Sequence, residues 1–226
     1  MIKGIVFDFD GTVSNRSAYA YATYRDYFRP LFADLDDVEF EAVMQDMMLF
    51  DVNGIVGIEE KMPPFIRKYA DHLPTDFKEK FYPYYKTSMW KYTVLKEETT
   101  EVLEKLKSHY KLGLLSNGDP YSQHHKIDKS GIAECFDAIL VSGDIGIHKP
   151  DPKIFRHMAD RLGVKCEECM VVGDVFATDI LGAHRAGMLP VWMRTDPEKP
   201  AEFYKGYIIS DLRELFAILE KENGKI

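Results

Sequence analysis

The chain has 226 residues, of which 46% are hydrophobic and 29% are charged, and its formal net charge is -8. This composition is typical of a globular protein with a substantial core, and the negative charge argues against nucleic acid or anionic membranes as partners, because both attract positive surfaces. No stretch approaches the roughly 20 apolar residues of a membrane span, and Asp8 comes too early for a signal-peptide core, so we expect a cytoplasmic protein.

The first predicted element is a buried strand, Gly4-Ile5-Val6-Phe7, which is followed by Asp8, Asp10, Gly11 and Thr12. Ligands of an open parallel sheet bind beyond the carboxyl ends of the strands, so these residues should face a pocket. Two carboxylates this close disfavour joint ionisation unless a cation lies between them. The pair therefore indicates a hard divalent ion with oxygen ligands, and we expect Mg2+. The structural alternative is a pair of strand-end acids that cap a turn.

The next 80 or so residues show helical periodicity, and no strand is needed among them. Helices are predicted over residues 17–32, 39–49, 57–72 and 76–90. Ser17 is the predicted N-cap of the first helix, and Asn53-Gly54 is predicted to end the second. Pro63-Pro64 is predicted to interrupt the third helix, and Pro83 is predicted to bend or end a turn of the fourth. Stripes of methionine and aromatic residues are more often core than ligand contacts. We therefore predict a small all-helical domain over residues 15–92.

Helix and strand alternate from residue 97 onward. The predicted helices cover 98–107, 152–162, 178–186 and 211–222, and the predicted strands cover 111–115, 138–141, 169–172, 189–193 and 206–209. This alternation predicts right-handed crossovers and an α/β, doubly wound parallel-sheet (Rossmann-like) core, built from residues 1–14 and 93–226. A crossover needs about 30 residues, but roughly 100 separate the first two strands. The surplus is the helical block, which we interpret as a cap inserted at the active site.

Polar residues that suit a phosphate group follow the second and third strands of this core. Ser116, Asn117 and Gly118 form a turn whose hydroxyl and N–H groups can hold an anion, although such turns are also common without one. Lys149 opens a helix and can reach a phosphate as a compact charge. Its structural alternative is a solvated loop lysine.

Two further acids follow the fourth strand. Asp174 would complete an oxygen site with Asp8 and the carbonyl of Asp10, whereas Asp179 could orient Lys149 or a metal-bound water. Either acid could instead cap the helix that follows.

These four segments, in this order, resemble the four motifs of the haloacid dehalogenase (HAD) superfamily. They are Asp8-Phe9-Asp10-Gly11-Thr12, Ser116-Asn117, Lys149-Pro150, and Gly173-Asp174 with Asp179. The helical insertion between the first and second segments resembles the C1-type cap of that superfamily. The resemblance covers nearly the whole chain and implies a phosphatase that hydrolyses a phosphomonoester with Mg2+ as its cofactor.

The resemblance also implies a role for each residue. Asp8 would be the nucleophile that forms an aspartyl-phosphate, and Asp10 would be the general acid and then the general base. Ser116 and Lys149 would stabilise the phosphoryl oxygens. The full implied sets are Thr12, Ser116, Asn117, Gly118 and Lys149 for substrate binding, and Asp8, Asp10, Asp174 and Asp179 for the metal.

Other activities stay open as alternatives. Dehalogenating members of the superfamily carry no acid at the position of Asp10, because a halide needs no proton to leave, so the resemblance implies that dehalogenation is not the activity. The β-phosphoglucomutase-like sugar phosphomutases share all four motifs, but they carry a histidine in the early cap, where this chain has Ala18-Tyr19-Ala20-Tyr21-Ala22. A non-catalytic phosphate-binding scaffold is an alternative from another class.

The expected partner is a small phosphorylated substrate, either a nucleotide, a sugar phosphate or phosphoglycolate, and the expected state is a monomer or a small homo-oligomer. Arg16, Arg25, Lys61 and Arg67 could each reach an anionic tail, but exposure to solvent is the commoner outcome. Cys166-Glu-Glu-Cys169 has the spacing of half a zinc site without a second pair, so we expect a turn before a strand.

Overall fold

The computed structural model of the chain describes residues 1–51, 54, 57–197 and 200–224. The chain divides into two compact units. One comprises Met1–Asn15 and Leu95–Ile226, and the other comprises Arg16–Val94. We call them the core unit and the helical unit. In the described parts of both units, no helix is long and apolar enough to cross a lipid bilayer.

The core unit is built on a single parallel sheet. Its strands, within the described residues, are β1 (Gly4–Phe7), β2 (Lys111–Ser116), β3 (Ala138–Val141), β4 (Cys169–Gly173), β5 (Leu189–Met193) and β6 (Tyr207–Ile209). They lie in the order β3-β2-β1-β4-β5-β6, and all neighbouring strands are parallel. The predicted doubly wound sheet is therefore confirmed.

The strand order reverses at β1, which lies between β2 and β4. Phe7 at the end of β1 is in register with Leu114 of β2 and with Val172 of β4. The residues that follow β1, β2 and β4 consequently emerge at the same edge of the sheet. A reversal of this kind is where open α/β sheets form a ligand-binding crevice.

Six of the described α-helices belong to the core unit with the sheet, and the other four form the helical unit. The described α-helices are α1 (Arg16–Phe28), α2 (Asp37–Asp51), α3 (Ile58–Lys68), α4 (Phe77–Ser88), α5 (Thr99–Lys107), α6 (Pro120–Ser130), α7 (Ser142–Ile145), α8 (Pro152–Leu162), α9 (Leu181–Ala186) and α10 (Leu215–Asn223). A π-helical turn, Phe176–Ile180, precedes α9.

The sheet buries both of its faces. Phe7 belongs to an apolar cluster with Leu103 of α5, whereas Val6 belongs to a second cluster with Phe155 and Met158 of α8. Successive residues of a strand point to opposite faces, so β1 contributes to both clusters. This explains why the strand is an uninterrupted apolar run, as parallel strands covered on both sides usually are.

The predictions for β3, β5 and α8 are confirmed at both ends, whereas α6 was not among the predicted helices. Its boundaries nevertheless have clear signals. The Asp119 side chain accepts a hydrogen bond from the Ser122 N–H, Pro120 takes the first helical position, and Gly131 ends the helix in the left-handed conformation with φ 75°. These are common start and stop residues of helices.

The helical unit has an aromatic core of its own. Phe28 of α1 packs against Phe65 of α3 and Phe81 of α4, with ring centroids 5.0 and 5.2 Å apart. Met44 and Met47 of α2 are also fully buried in this core. The prediction that the methionine and aromatic stripes are core residues is confirmed for these positions.

Several predictions of detail in the helical unit were wrong. Helix α1 begins at Arg16, so Ser17 lies in its first turn and is not the N-cap. Pro63 and Pro64 do not interrupt α3. Pro83 does not end α4, so that alternative of the prediction was wrong, and a bend at Pro83 stays a prediction. A proline inside a helix loses one backbone hydrogen bond, but these helices also bury Phe65 and Phe81, and this packing keeps them intact. Asn53, in the predicted break after α2, lies outside the described residues.

Two cations that were expected in solvent are buried inside the helical unit. Arg16 is 7% exposed and Lys61 is 6% exposed. Arg16 forms an ion pair with Asp51, which also accepts hydrogen bonds from Tyr24 and, at 2.5 Å, from Lys61 Nζ. Burial alone would raise the pKa of Asp51, but the charges of Arg16 and Lys61 lower it to about 2. Buried charges need such partners because desolvation is costly.

Two segments of the core unit run side by side where the chain leaves for the helical unit and where it returns. Ser14 forms an antiparallel bridge with Leu95. The carbonyl of Val13 accepts hydrogen bonds from the Lys96 N–H at 3.1 Å and from the Thr99 hydroxyl at 2.6 Å. The exit and the return of the chain are therefore adjacent in the core unit.

The three cysteines form no disulfide bond. Cys135, Cys166 and Cys169 are all free. Cys166 lies in the 3-10 turn Cys166–Glu168 and Cys169 starts β4. This agrees with the predicted turn before a strand.

Candidate active site

The carboxyl edge of the sheet brings predicted site residues from the ends of three strands together. Asp8 directly follows β1, Ser116 ends β2, and Asp174 directly follows β4. The Asp8 N–H donates to the Val172 carbonyl at 2.9 Å, which continues the pairing of β1 with β4 by one step. The strand pairing itself therefore fixes the backbone of Asp8 beside β4.

Lys149 lies at the centre of these groups. Its ammonium group donates to Asp8 Oδ1 at 2.6 Å and to the Leu115 carbonyl at 3.0 Å, and it forms an ion pair with Asp179 Oδ1 at 2.7 Å. Burial lowers the pKa of Lys149, but the charges of Asp179 and Asp8 outweigh burial and raise it above the usual range. Lys149 is thus a buried cation held between two carboxylates, and the solvated alternative is wrong.

Asn117 and Asp179 hold Lys149 in place. The Asn117 side chain donates to the Lys149 carbonyl at 3.0 Å and accepts from the Lys149 N–H at 2.9 Å. Asp179 Oδ2 accepts from the Val175 N–H at 2.9 Å, so its other oxygen is directed at the ammonium group. Gly173 makes room for this arrangement, since a Cβ there would overlap the Asp179 side chain.

Three acids form a compact cluster. Asp8, Asp174 and Asp179 each offer a carboxylate oxygen, and these oxygens lie within 4.8 Å of one another. Burial raises the pKa of Asp8 to about 7, while Lys149 opposes that shift. Burial and the charge of Asp8 also raise the pKa of Asp174 well above its usual value. Such crowding of like charges disfavours ionisation of all three acids unless a further cation joins Lys149.

The donor set fits a hard cation. All three candidate ligands are carboxylates, which Mg2+ prefers to nitrogen or sulfur. Asp174 Oδ1 is buried and has no hydrogen-bond partner among the described residues. Gly11 has φ 90° and lies so close to the Asp174 carboxylate that a Cβ would overlap it. The glycine therefore allows Asp174 to approach the backbone that follows Asp10.

Two hydroxyl groups are available for a ligand at this edge. The side-chain oxygens of Thr12 and Ser116 are buried and have no hydrogen-bond partner within the described part of the chain. A buried hydroxyl without a partner is costly, so both are suited to an incoming polar group. The Gly118 N–H, by contrast, donates to Ser142 Oγ at 3.0 Å.

The Asp10 side chain is directed to helix α6. Its carboxylate accepts hydrogen bonds from Lys126 at 2.7 and 2.6 Å and from the Gln123 side chain at 2.8 Å. Its carboxylate does not belong to the described cluster of Asp8, Asp174 and Asp179. The two acids of the first motif therefore have different surroundings.

Sequence reasoning missed Gln123, Lys126 and Lys96. The first two share one buried face of α6 with Ile127, at helical spacing, and this spacing could have been recognised. Burial lowers the pKa of Lys96, and the carboxylates of Glu98 and Asp174 act against this shift. No sequence signal links Lys96 to this site.

The comparisons with known proteins agree with this geometry. The family model of haloacid dehalogenase-like hydrolases matches residues 2–187. A glyceraldehyde 3-phosphate phosphatase from Pyrococcus furiosus is 28% identical, with 99% of this chain and 95% of the relative covered. Another, from Methanopyrus kandleri, is 30% identical, with 86% and 84% covered.

A solved structure shares the fold along the full length. The crystal structure of a HAD phosphatase from Thermococcus onnurineus matches with a TM-score of 0.63 and 26% identity, with 99% of each chain covered. The family model alone spans most of the chain, and the motif residues occupy the expected edge of the sheet. The chain belongs to the haloacid dehalogenase-like hydrolase family.

Proposed function

We propose that the chain is a Mg2+-dependent phosphatase that hydrolyses a small phosphomonoester through an aspartyl-phosphate on Asp8. One observation carries the proposal: the Asp8 carboxylate is buried against the Lys149 ammonium group, 2.6 Å away, at the edge where Thr12 and Ser116 present free hydroxyls. A phosphoryl group needs such a nucleophile together with cationic and hydroxyl donors for its oxygens. The names of the two curated relatives, both glyceraldehyde 3-phosphate phosphatases, support the same reaction class.

In the first step, an oxygen of Asp8 bonds to phosphorus while the ester P–O bond breaks. The electron pair of that bond goes to the leaving oxygen, which takes the proton that the Asp10 carboxyl group gained from water in the preceding turnover. Lys149, Ser116 and Thr12 stabilise the phosphoryl oxygens during this transfer. Asn117 contributes by holding the Lys149 backbone, and Gly118 is a proposed binding residue through the shape of the same loop, since its N–H donates to Ser142 Oγ.

In the second step, a water oxygen bonds to phosphorus and the bond between phosphorus and Asp8 breaks. Asp10 accepts the proton of the water, and the electron pair of the broken bond returns to the Asp8 carboxylate. Asp8, Asp174, Asp179 and the Asp10 carbonyl are the proposed holders of Mg2+. When bound, the ion neutralises charge on the transferred phosphoryl group.

We propose that residues 15–92 form the cap domain of the family and select the substrate. The compact helical unit, Arg16–Val94, supports this proposal. Candidate substrates are nucleotides, sugar phosphates, phosphoglycolate and, because of the curated relatives, a triose phosphate.

The test is release of inorganic phosphate from p-nitrophenyl phosphate and from a panel of these metabolites, with Mg2+ or with EDTA. We expect turnover with Mg2+ only, and its loss in Asp8→Asn. Asp128→Asn is the matched control, because Asp128 is exposed on α6. Equal activity of Asp8→Asn and wild type, or full activity in EDTA, would contradict the proposal.

A further inference from the structure

Lys126 is a second buried lysine near the proposed site, and the reaction described above assigns it no role. Its ammonium group contacts both oxygens of the Asp10 carboxylate, at 2.7 and 2.6 Å. The Lys126 side chain is 5% exposed, whereas that of Asp10 is 20% exposed. The lysine thus approaches Asp10 from the protein interior, and part of the carboxylate stays accessible to solvent.

Gln123, one turn earlier on α6, strengthens this contact. Its side-chain amide donates to Asp10 Oδ2 and to the Asn117 carbonyl, both at 2.8 Å. Gly118 leaves room for the amide, because a Cβ there would lie 2.7 Å from Gln123 Nε2. The amide therefore links Asp10 to the loop that also positions Lys149.

These contacts fix the direction of the Asp10 side chain. A carboxylate that is held at both oxygens cannot rotate freely about its side-chain bonds. The backbone of Asp10 is also constrained, by a bridge to Ser14. Replacing a buried ion pair with apolar residues often leaves stability unchanged or improved, so stability alone is a weak reason for this pair.

The geometry points to Lys126 and Gln123 as positioning residues that hold the Asp10 carboxylate for proton transfer. This inference rests on the proposed function, in which Asp10 gives a proton to the leaving oxygen and later takes one from water. Neither residue touches the substrate in this scheme. Because proton transfer requires the two heavy atoms to lie within hydrogen-bond reach, loss of either contact slows the step that Asp10 assists.

The leaving group provides a specific test. p-Nitrophenolate departs readily without a proton, whereas an alkoxide needs one, so only alkyl phosphates depend strongly on Asp10 in the first step. The value of kcat/KM reports events up to the first irreversible step. We would compare kcat/KM for p-nitrophenyl phosphate with that for the alkyl phosphate of the panel that wild type hydrolyses fastest.

The variants are Lys126→Met, Lys126→Arg and Gln123→Leu, with Lys129→Met as the matched control. Lys129 lies one turn further along α6, carries the same charge and is exposed. General acid catalysis contributes about 10²- to 10⁴-fold, so we expect Lys126→Met to lower kcat/KM for the alkyl phosphate by about tenfold to hundredfold. For p-nitrophenyl phosphate the loss should stay below about threefold.

Lys126→Arg should recover part of the alkyl activity, and Gln123→Leu should show a smaller loss with the same substrate dependence. Lys129→Met should match wild type on both substrates. Thermal melting of each variant identifies unfolding, which would lower both activities by the same factor. The Lys126→Arg and Gln123→Leu variants keep the test valid if Lys126→Met fails to fold.

Equal losses on both substrates in folded variants, or no loss, would overturn the positioning role while leaving the phosphatase proposal intact. If wild type with Mg2+ hydrolyses neither substrate, the proposed function fails and this inference fails with it. The wild-type measurement therefore separates the two failures.

Discussion

Asn117 and Lys149 are joined by two hydrogen bonds, of 3.0 and 2.9 Å, between the side-chain amide of Asn117 and the backbone of Lys149. Asn117 of the second motif thus positions the backbone of Lys149 in the third motif. We predict that Asn117→Ala lowers kcat/KM by about tenfold to hundredfold, because a misplaced cationic group costs rate. Steady-state kinetics would measure it. Unchanged kcat/KM in a folded variant would show that these two hydrogen bonds are not needed to position Lys149.

Lys149→Met should have a larger effect. It leaves the buried carboxylates of Asp8 and Asp179 without their cation. Breaking a buried ion pair costs about 3–5 kcal/mol, so we expect a loss of this size in the free energy of unfolding, together with loss of phosphate release. Lys153→Met, on the exposed side of α8, is the control and should behave like wild type. Denaturant unfolding and the phosphate assay are the measurements.

Asp174→Ala is expected to weaken metal binding more than it alters the rest of the site. Asp174 Oδ1 has no hydrogen-bond partner in the described chain, so its removal breaks few contacts but deletes a candidate ligand. We expect the Mg2+ concentration for half-maximal activity to rise about tenfold to hundredfold, because the variant lacks one charged ligand. Calorimetric titration with Mg2+ would show the same shift. A variant with unaltered Mg2+ affinity would remove Asp174 from the metal site.

Asp51 should make the helical unit sensitive to acid. Its pKa is about 2 in the folded protein, below the ordinary 3.8. A lowered pKa stabilises the folded state above the ordinary value, and this contribution disappears as the pH falls from about 4 towards 2. The difference in pKa corresponds to about 2 kcal/mol.

The measurement compares Asp51→Asn with its parent in denaturant unfolding at pH 7, 5 and 3. Trp90 reports on the helical unit once Trp192 in β5 is replaced, so both proteins carry Trp192→Phe. The stability difference should be largest at neutral pH and should shrink at pH 3. Asp71→Asn, at an exposed position of the same unit, should show no such trend. A constant difference across the three pH values would refute the assignment.

Cys169 should resist alkylation in the folded protein. The residue is fully buried, and burial raises the pKa of its thiol to about 12. The thiolate is the reactive form, so iodoacetamide at pH 8 should modify Cys135 and Cys166 before Cys169. Peptide mass spectrometry resolves the three sites. Rapid labelling of Cys169 in the native protein would contradict the burial described above.

The elements that carry the motifs were predictable because their signals are local. The apolar runs of β3 and β5 and the amphipathic α8 are each contained in a short window, and the strand ends locate Asp8, Ser116 and Asp174. The parallel sheet followed from the alternation of helix and strand, whereas the order of its strands was not predicted and comes from the structure. Because the carboxyl ends of parallel strands lie at one edge of a sheet, the motif residues could be assigned to that edge without knowledge of their side-chain contacts.

The partners of the buried charges were not predictable in the same way. Lys126 meets Asp10 across 116 residues of sequence, and Arg16 meets Asp51 across 35. Long-range pairs leave no periodic pattern, so the average tendency of Arg and Lys to be exposed decided the prediction for Arg16 and Lys61. The prediction that Pro63 and Pro64 interrupt the third helix was wrong for a related reason, since tertiary packing can outweigh a local helix breaker.

The bridge between Ser14 and Leu95 affects how the sequence of this protein can evolve. Because the chain leaves and re-enters the core unit at neighbouring points, the intervening segment can be lengthened, shortened or exchanged without altering the ends of β1 or β2. Loop closure depends only weakly on the length of what is inserted. Under the proposed division of roles, substrate preference can thus diverge by replacement of one contiguous block of the gene, while the residues of the proposed phosphate site are inherited unchanged.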